Sequence, residues 1–216
     1  MIFLILQLSL MRGKVPSSLK DANVTPLLKD PNKSKNFYTN WRPIAVTSIV
    51  ARVMERVVAS RLIRELELAH VPRNIQFGGR KNRGTEDALA YTFMGIKKSV
   101  EQNGCCHAVF CDISKAFDRV DPDLLILKLM KKGVSDVLVL WIYDFLTRRR
   151  QRVKIGSDFS SWSVPKSGIP QGTVLGPILW AVFIDDCPIE IQTQELERGC
   201  LFVDDMAIYS SGSEKD

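Results

Sequence analysis

An α+β fold, with helices and antiparallel strands mixed along the chain and not wound as repeated β-α units, is what this sequence predicts. Three observations carry that expectation. Between Ser48 and Leu68 the residues Ile49, Val50, Val53, Met54, Val57, Val58, Leu62, Ile63 and Leu66 recur at helical spacing. From Arg152 to Ile155 charged and apolar residues alternate, and Gly156-Ser157-Asp158 then turns the chain, which is the pattern of a hairpin. From Cys200 to Tyr209 two short apolar runs flank Asp204-Asp205, a second hairpin with two carboxylates at its tip.

The chain has 216 residues, 45% hydrophobic and 25% charged, enough for one large domain or two small ones with a real core. Its net charge of +6 favours a polyanionic partner. The five cysteines (Cys105, Cys106, Cys111, Cys187, Cys200) form no C-x-x-C pair, and His70 and His107 lie at no zinc-ligand spacing. A structural zinc is therefore not expected, and the odd count suggests a reducing, intracellular compartment. The apolar run Met1 to Met11 is too short to span a bilayer and lacks the marks of a signal peptide. It reads as a buried helix, or as one whose partner surface lies upstream.

The elements follow in order. Ser17 to Asn40 is basic and rich in turn formers, with a short strand near Val24 and then a mobile loop. In the helix from Ser48 to Leu68, Arg52, Arg56, Arg61 and Arg64 fall largely off the apolar stripe. They form a solvated face or, on the sharper reading, an RNA-binding one. Gln76 to Gly84 is basic and glycine-rich, and Thr85 is expected to cap a helix to about Val100. The apolar run Ala108 to Cys111 then makes a strand, expected to be buried, closed by Asp112. Asp121 and Pro122 supply an N-cap and a first-turn proline, and Gly133 a stop. Ser135 starts a helix expected to end in Thr147-Arg148-Arg149-Arg150, with Trp141, Phe145 and Leu146 in its core. A glycine- and proline-rich loop from Ser167 to Pro177 leads into an apolar helix ending at Ile184. The aspartate hairpin comes last, with a frayed polar tail from Ser210 to Asp216.

Chemistry concentrates in the acidic residues. If the strand ending at Asp112 neighbours the Asp204-Asp205 hairpin, three carboxylates meet at one sheet edge. Ionised together they repel, and they call for a hard divalent cation with oxygen ligands. That is the arrangement two-metal phosphoryl transfer needs. Alone, Asp112 is as readily a helix N-cap. The carbonyl after it, at Ile113, offers another oxygen. Phe117 would stand beside the site as a wall that clashes with a ribose 2′-OH. In Gly168-Ile169-Pro170-Gln171-Gly172-Thr173, glycines let backbone approach a ligand and Gln171 could lie against a nucleotide or its template partner. A second pair, Asp185-Asp186, closes an apolar helix, where the helix dipole disfavours bare carboxylates, so the metal is expected at Asp204 and Asp205. Arg148, Arg149, Arg150, Arg152 and Lys154 track a nucleic-acid backbone or form a solvated helix end.

Taken in order, these segments resemble the reverse transcriptase domain of non-LTR (LINE-type) retrotransposons. Asp112 to Asp118 resembles that family's motif A, Gly168 to Pro177 its motif B, and Phe202 to Asp205 its motif C. Trp41-Arg42-Pro43-Ile44 and the run Gln76 to Thr85 resemble two elements of its fingers. The likeness runs from about Val15 to Tyr209.

The resemblance implies a right-hand polymerase fold with an antiparallel palm sheet, residues from about 15 to 105 mainly fingers, and those from about 106 to 146 and 164 to 216 mainly palm. It implies RNA-directed DNA synthesis with Mg²⁺, an RNA template, a DNA primer and dNTPs, no membrane, and a nuclear and cytoplasmic setting. Asp112, Asp204 and Asp205 would be the catalytic triad, with Asp112 and Asp204 bridging metals and the Ile113 carbonyl assisting. Phe117 would be the sugar gate. Gln171 and Gly172 would meet the nucleotide or template, and Arg42 with Arg80 or Arg83 would reach the triphosphate. Val203, Gly79 and Gly84 depart from the usual Ala, Phe and Ser. The chain stops eleven residues after Asp205 (216 − 205), so the thumb is expected to be absent. An RNA-directed RNA polymerase would carry a second Asp where Phe117 stands. The remaining alternative is an inactive remnant that binds nucleic acid or a partner.

Overall fold

The computed structural model describes residues 2–80, 82–187 and 198–212. The helices are α1 (Ile2–Arg12), α2 (Ile49–Leu68), α3 (Thr85–Asn103), α4 (Pro122–Lys131), α5 (Asp136–Leu146) and α6 (Gly176–Ile184). The strands are β1 (Asp21–Leu28), β2 (Trp41–Val46), β3 (Cys105–Asp112), β4 (Arg150–Ile155), β5 (Asp158–Phe159), β6 (Arg198–Phe202) and β7 (Asp205–Gly212). They fall into two compact units interleaved in sequence, residues 1–69 with 117–179 and residues 70–116 with 180–216. No helix among the described residues is long and apolar enough to cross a membrane.

The first unit holds a four-stranded sheet in the order β2-β1-β4-β5. β1 pairs antiparallel with β2 and parallel with β4, the second pairing joining Asp21 to Arg150. Its helices form where the periodicity places them. Ser48 caps α2 by accepting from the Ala51 N–H, and Asp121 caps α4 by accepting from the Asp123 and Leu124 N–H groups. The α2 stripe buries Met54, Val58, Leu62 and Leu66, while Arg52, Arg56, Arg61 and Arg64 are exposed, as a solvated face requires. Trp141, Phe145 and Leu146 are buried, the first two stacked.

Two expectations need correction here. The helix from Ser135 ends at Leu146, because Arg148 adopts a left-handed φ of +54° and turns the chain into β4, so the arginine run is turn and strand and not helix end. Among the residues of α1 whose burial is described, Ser9 and Leu10 are the buried ones, and Ser9 Oγ accepts from the Trp141 indole N–H. Phe3, Leu4 and Met11 are exposed. The loop before β2 carries ties of its own, from the Asn40 amide to the Ser34 carbonyl and from the Trp41 indole to the Lys35 carbonyl.

The second unit holds a three-stranded antiparallel sheet in the order β3-β7-β6 with α3 packed on it. β3, expected to be buried, is not: Val109 and Phe110 are exposed. The cap of α3 is Gly84, one residue before Thr85, with the Asp87 carboxylate accepting from the Gly84 N–H at 2.7 Å. Phe77, Ala88 and Cys200 form a buried cluster with Phe202 and Ala207 against it. β7 continues through Ser210–Gly212 because Cys105–His107 pair with it, so those residues are strand and not tail. Residues 213–216 of the expected tail lie outside the described residues.

Candidate active site

The second unit brings the three predicted aspartates to one edge. In the β3–β7 ladder Asp112 and Asp205 are direct partners. Residues opposite one another in an antiparallel pair point to the same face, with Cα atoms about 4.5–5.5 Å apart. Asp204 sits at the turn between β6 and β7, half-buried, while Asp112 and Asp205 are exposed. Some loss of water, then the negative charges of Asp204 and Asp112, raise the Asp205 carboxyl above the usual aspartate range. An apolar cavity of about 420 Å³ adjoins the pair, lined by Thr85, Leu89 and Thr92 of α3 and by Phe110, Asp112, Phe202 and Asp205 of the sheet.

This donor set suits a hard divalent cation, since a positive charge would offset the negative charges that raise the Asp205 carboxyl. Among the described residues no group of three or more His, Cys, Asp or Glu side chains is arranged to hold a metal ion by itself. The Ile113 carbonyl accepts from the Ala116 N–H at 3.2 Å and keeps a second lone pair.

The turn holding Asp204 is built from less obvious residues. Val203 has a φ of +57°, which costs a β-branched residue about 1–2 kcal/mol. Its N–H donates to Gln76 Oε1 at 3.2 Å, and its carbonyl accepts from the Trp180 indole N–H at 2.7 Å. Gly78 packs so closely that a Cβ there would run into the Val203 backbone nitrogen. Sequence reasoning missed Gln76 and Trp180. The first was read as part of a basic glycine-rich loop and the second as one apolar residue in a helix.

The other predicted residues are distributed as follows. Arg80 donates to the Arg73 carbonyl at 3.0 Å, and Arg83 to the Asn74 carbonyl while lying over the Phe77 ring. Both are tied to the loop that precedes α3. The decoy Asp185 is buried and accepts from the Arg73 N–H at 2.7 Å, which is a structural use. In the first unit, Arg42 is exposed on β2. The Phe117 carbonyl accepts from the Ile169 N–H at 2.8 Å, and the Gln171 carbonyl from the Ala45 N–H at 2.7 Å. Gly172 has φ +91°, and a Cβ there would stand 2.9 Å from Ile44 Cγ2, so only glycine fits.

The loop from Ser167 to Pro177 is gripped by two buried charges. Arg149 donates to the Ser167 and Gly168 carbonyls at 3.1 Å each. Burial pulls its pKa down to about 10, against the charge of Asp118. Glu55, 1% exposed, accepts from the Val174 N–H at 2.7 Å and the Leu175 N–H at 3.3 Å. Burial raises its carboxyl, and those two amides and Arg52 oppose the rise. Arg149 thus points inward onto this loop, and Glu55 escaped the sequence reading because nothing marks one glutamate in a helix as buried. A cavity of about 250 Å³ beside this loop is lined by Pro43, Asp118, Arg149, Lys166 and Gln171 among others. Arg148 is exposed at the turn. Arg150 makes a two-pronged bond to Asp21 at 3.0 and 2.7 Å and lies over Trp162. Arg152 lies 3.9 Å from the Phe159 ring centroid and 4.6 Å from that of Trp162.

With this geometry in hand, comparison with known proteins is specific. A family model described as reverse transcriptase (RNA-dependent DNA polymerase) matches residues 29–216. The chain is 31% identical over 190 residues to the probable RNA-directed DNA polymerase from transposon BS of Drosophila melanogaster, covering 86% of this chain and 21% of that protein. It is 29% identical over 200 residues to the RNA-directed DNA polymerase from mobile element jockey of the same fly, covering 91% and 22%. It thus spans about a fifth of the length of these relatives. Among solved structures, apo telomerase from Candida tropicalis superposes with a TM-score of 0.66 at 10% identity, covering 90% of this chain and 40% of that one. That likeness shows a shared fold, of the right-hand polymerase kind.

Proposed function

Because this chain belongs to the reverse transcriptase (RNA-dependent DNA polymerase) family, we propose that it is the RNA-directed DNA polymerase domain of a non-LTR retrotransposon. The observation that carries the reading is the strand register that sets Asp112 opposite Asp205, with Asp204 beside them at the turn. Asp112, Asp204, Asp205 and the Ile113 carbonyl would hold Mg²⁺, which when bound lowers the pKa of a primer 3′-OH and offsets charge on a triphosphate. The chain's own residues do the rest. The Phe117 ring excludes a 2′-OH and so selects dNTPs. Gly172, with no Cβ, lets backbone approach the base pair beside Gln171. Arg42 supplies positive charge for the triphosphate, with Arg80 and Arg83 in reserve once released from their carbonyl partners. The RNA template and DNA primer meet the basic surface. Residues from about 15 to 105 are mainly fingers and those from about 106 to 146 and 164 to 216 mainly palm, with α3 packing on the palm sheet. Nuclear and cytoplasmic sites of action fit copying of an RNA into DNA.

The test is extension of a DNA primer on an RNA template with Mg²⁺, comparing dNTPs with rNTPs and the parent chain with Asp204→Asn. The expected result is dNTP incorporation abolished by the substitution. A strong rNTP preference, or equal signals from parent and variant, defeats the reading.

A second reading, nucleic-acid binding without polymerisation, is favoured by the ladder of exposed Arg150 and half-buried Arg152 over Trp162 and Phe159. Guanidinium and aromatic planes together suit single-stranded nucleic acid. RNA binding that survives Asp204→Asn, in a chain that extends no primer, would establish it.

A further inference from the structure

A β-branched residue does not adopt a left-handed conformation unless its surroundings impose it. Val203, at φ +57°, immediately precedes Asp204. Both of its backbone polar groups are taken by side chains from elsewhere, the N–H by Gln76 Oε1 at 3.2 Å and the carbonyl by the Trp180 indole at 2.7 Å. Both side chains are buried, Gln76 at 1% and Trp180 at 2% exposure. Gln76 Oε1 also accepts from the Gly78 N–H at 2.9 Å. Because both amides facing it are donors, the atom between them must be the carboxamide oxygen. Gln76 is itself held in place. The Phe77 N–H donates to the Leu201 carbonyl and the Leu201 N–H to the Ile75 carbonyl, each at 2.8 Å, lacing this segment along β6. The close approach of Gly78 to Val203 completes the fit.

We infer that Gln76 and Trp180 are positioning residues that lock Val203 left-handed and thereby aim the Asp204-Asp205 carboxylates, an inference that rests on the polymerase reading. Neither side chain need touch substrate. They act through the peptide group they hold, as outer-shell partners act through a metal's ligands.

The experiment uses three substitutions in the 216-residue chain. Gln76→Met keeps length but removes the acceptor, Gln76→Glu keeps an acceptor oxygen, and Trp180→Phe keeps the ring but removes the N–H. Three readouts are taken: exchange of the Val203 amide hydrogen by NMR, affinity for Mn²⁺ alone by electron paramagnetic resonance, and kcat and KM for dNTP in primer extension. For Gln76→Met we expect faster Val203 exchange, Mn²⁺ affinity and kcat each lower by about 10- to 100-fold, and KM within about twofold. Gln76→Glu should restore most of the loss, and Trp180→Phe should fall between. Parental Mn²⁺ affinity and kcat in Gln76→Met, or a loss that Gln76→Glu does not rescue, overturns the inference. Should Gln76→Met fail to fold, Gln76→Glu and Trp180→Phe decide through the same readouts. A parent chain that extends no primer defeats the polymerase reading, while Val203 exchange and Mn²⁺ affinity still judge the clamp.

Discussion

Replacing Glu55 with methionine should destabilise the chain by about 2 kcal/mol, and the structure gives each contribution. The carboxylate accepts from the Val174 N–H at 2.7 Å and from the Leu175 N–H at 3.3 Å. Orphaning the first, a short charge-assisted bond, costs about 2–3 kcal/mol, and losing the longer second about 1 kcal/mol. Against this, Glu55 Oε1 has no hydrogen-bond partner among the described residues, and removing a half-satisfied buried carboxylate returns about 1–2 kcal/mol. A net loss of about 2 kcal/mol lowers Tm by about 4–8 °C in a chain of this size. Glu55→Gln keeps an acceptor without the charge and separates the two effects by pH. Burial raises the Glu55 carboxyl in the folded state. The stability it contributes is therefore fully present below the unfolded pKa, about 4.3, and is lost as pH rises through the raised folded value. The parent should lose ground to Glu55→Gln across that window, with the two close in stability below it. Urea melts followed by tryptophan fluorescence, repeated from pH 4 to pH 8, measure both quantities. A Glu55→Met variant as stable as the parent at neutral pH, or a parent-to-Gln difference flat in pH, would refute the reasoning.

Other outcomes follow from the acidic edge and from the base of its hairpin. Asp112→Asn should lower the Asp205 pKa, because one of the like charges that raise it is gone; carboxyl carbon titration by NMR reads this directly, and an unchanged value would mean that burial and Asp204 set it without Asp112. Gly78→Ala should cost about 1–3 kcal/mol by overpacking, since its Cβ would meet the Val203 nitrogen and lie 3.0 Å from the Phe202 carbonyl carbon. Calorimetry showing an unchanged Tm would mean the hairpin gives way freely. Arg152→Ala should weaken RNA binding and reduce its salt dependence by about one counterion, as read by fluorescence anisotropy over a salt series. An unaltered slope would leave that arginine to its contacts with Asn23, Phe159 and Trp162.

The parts of the fold legible in the sequence were those set by neighbours along the chain. The α2 stripe, the Asp121-Pro122 cap and the aspartates at a hairpin tip depend on residues within a few positions of one another. What escaped depends on distant partners. Nothing local tells that β4 lies parallel to β1, since Asp21 and Arg150 are 129 positions apart and the chain between them carries no mark of the pairing. Nothing local separates Arg149, turned inward onto two carbonyls, from the exposed Arg148 and Arg150 on either side. Its direction follows from the left-handed residue before it. Gln76 is the clearest instance. Its oxygen works on an amide 127 positions away, and a carboxamide in a polar loop gives no sign of that.

The parallel pairing of β1 with β4 has a consequence for how the chain is born. β1 and β2 are made early and can zip into a hairpin while still near the ribosome. The flank of β1 that β4 will cover stays bare until synthesis has passed Ile155. For that interval it offers an open row of amides and carbonyls to any strand that passes. A nascent chain released early, before Arg150, would carry that bare flank permanently, and self-association is its expected fate.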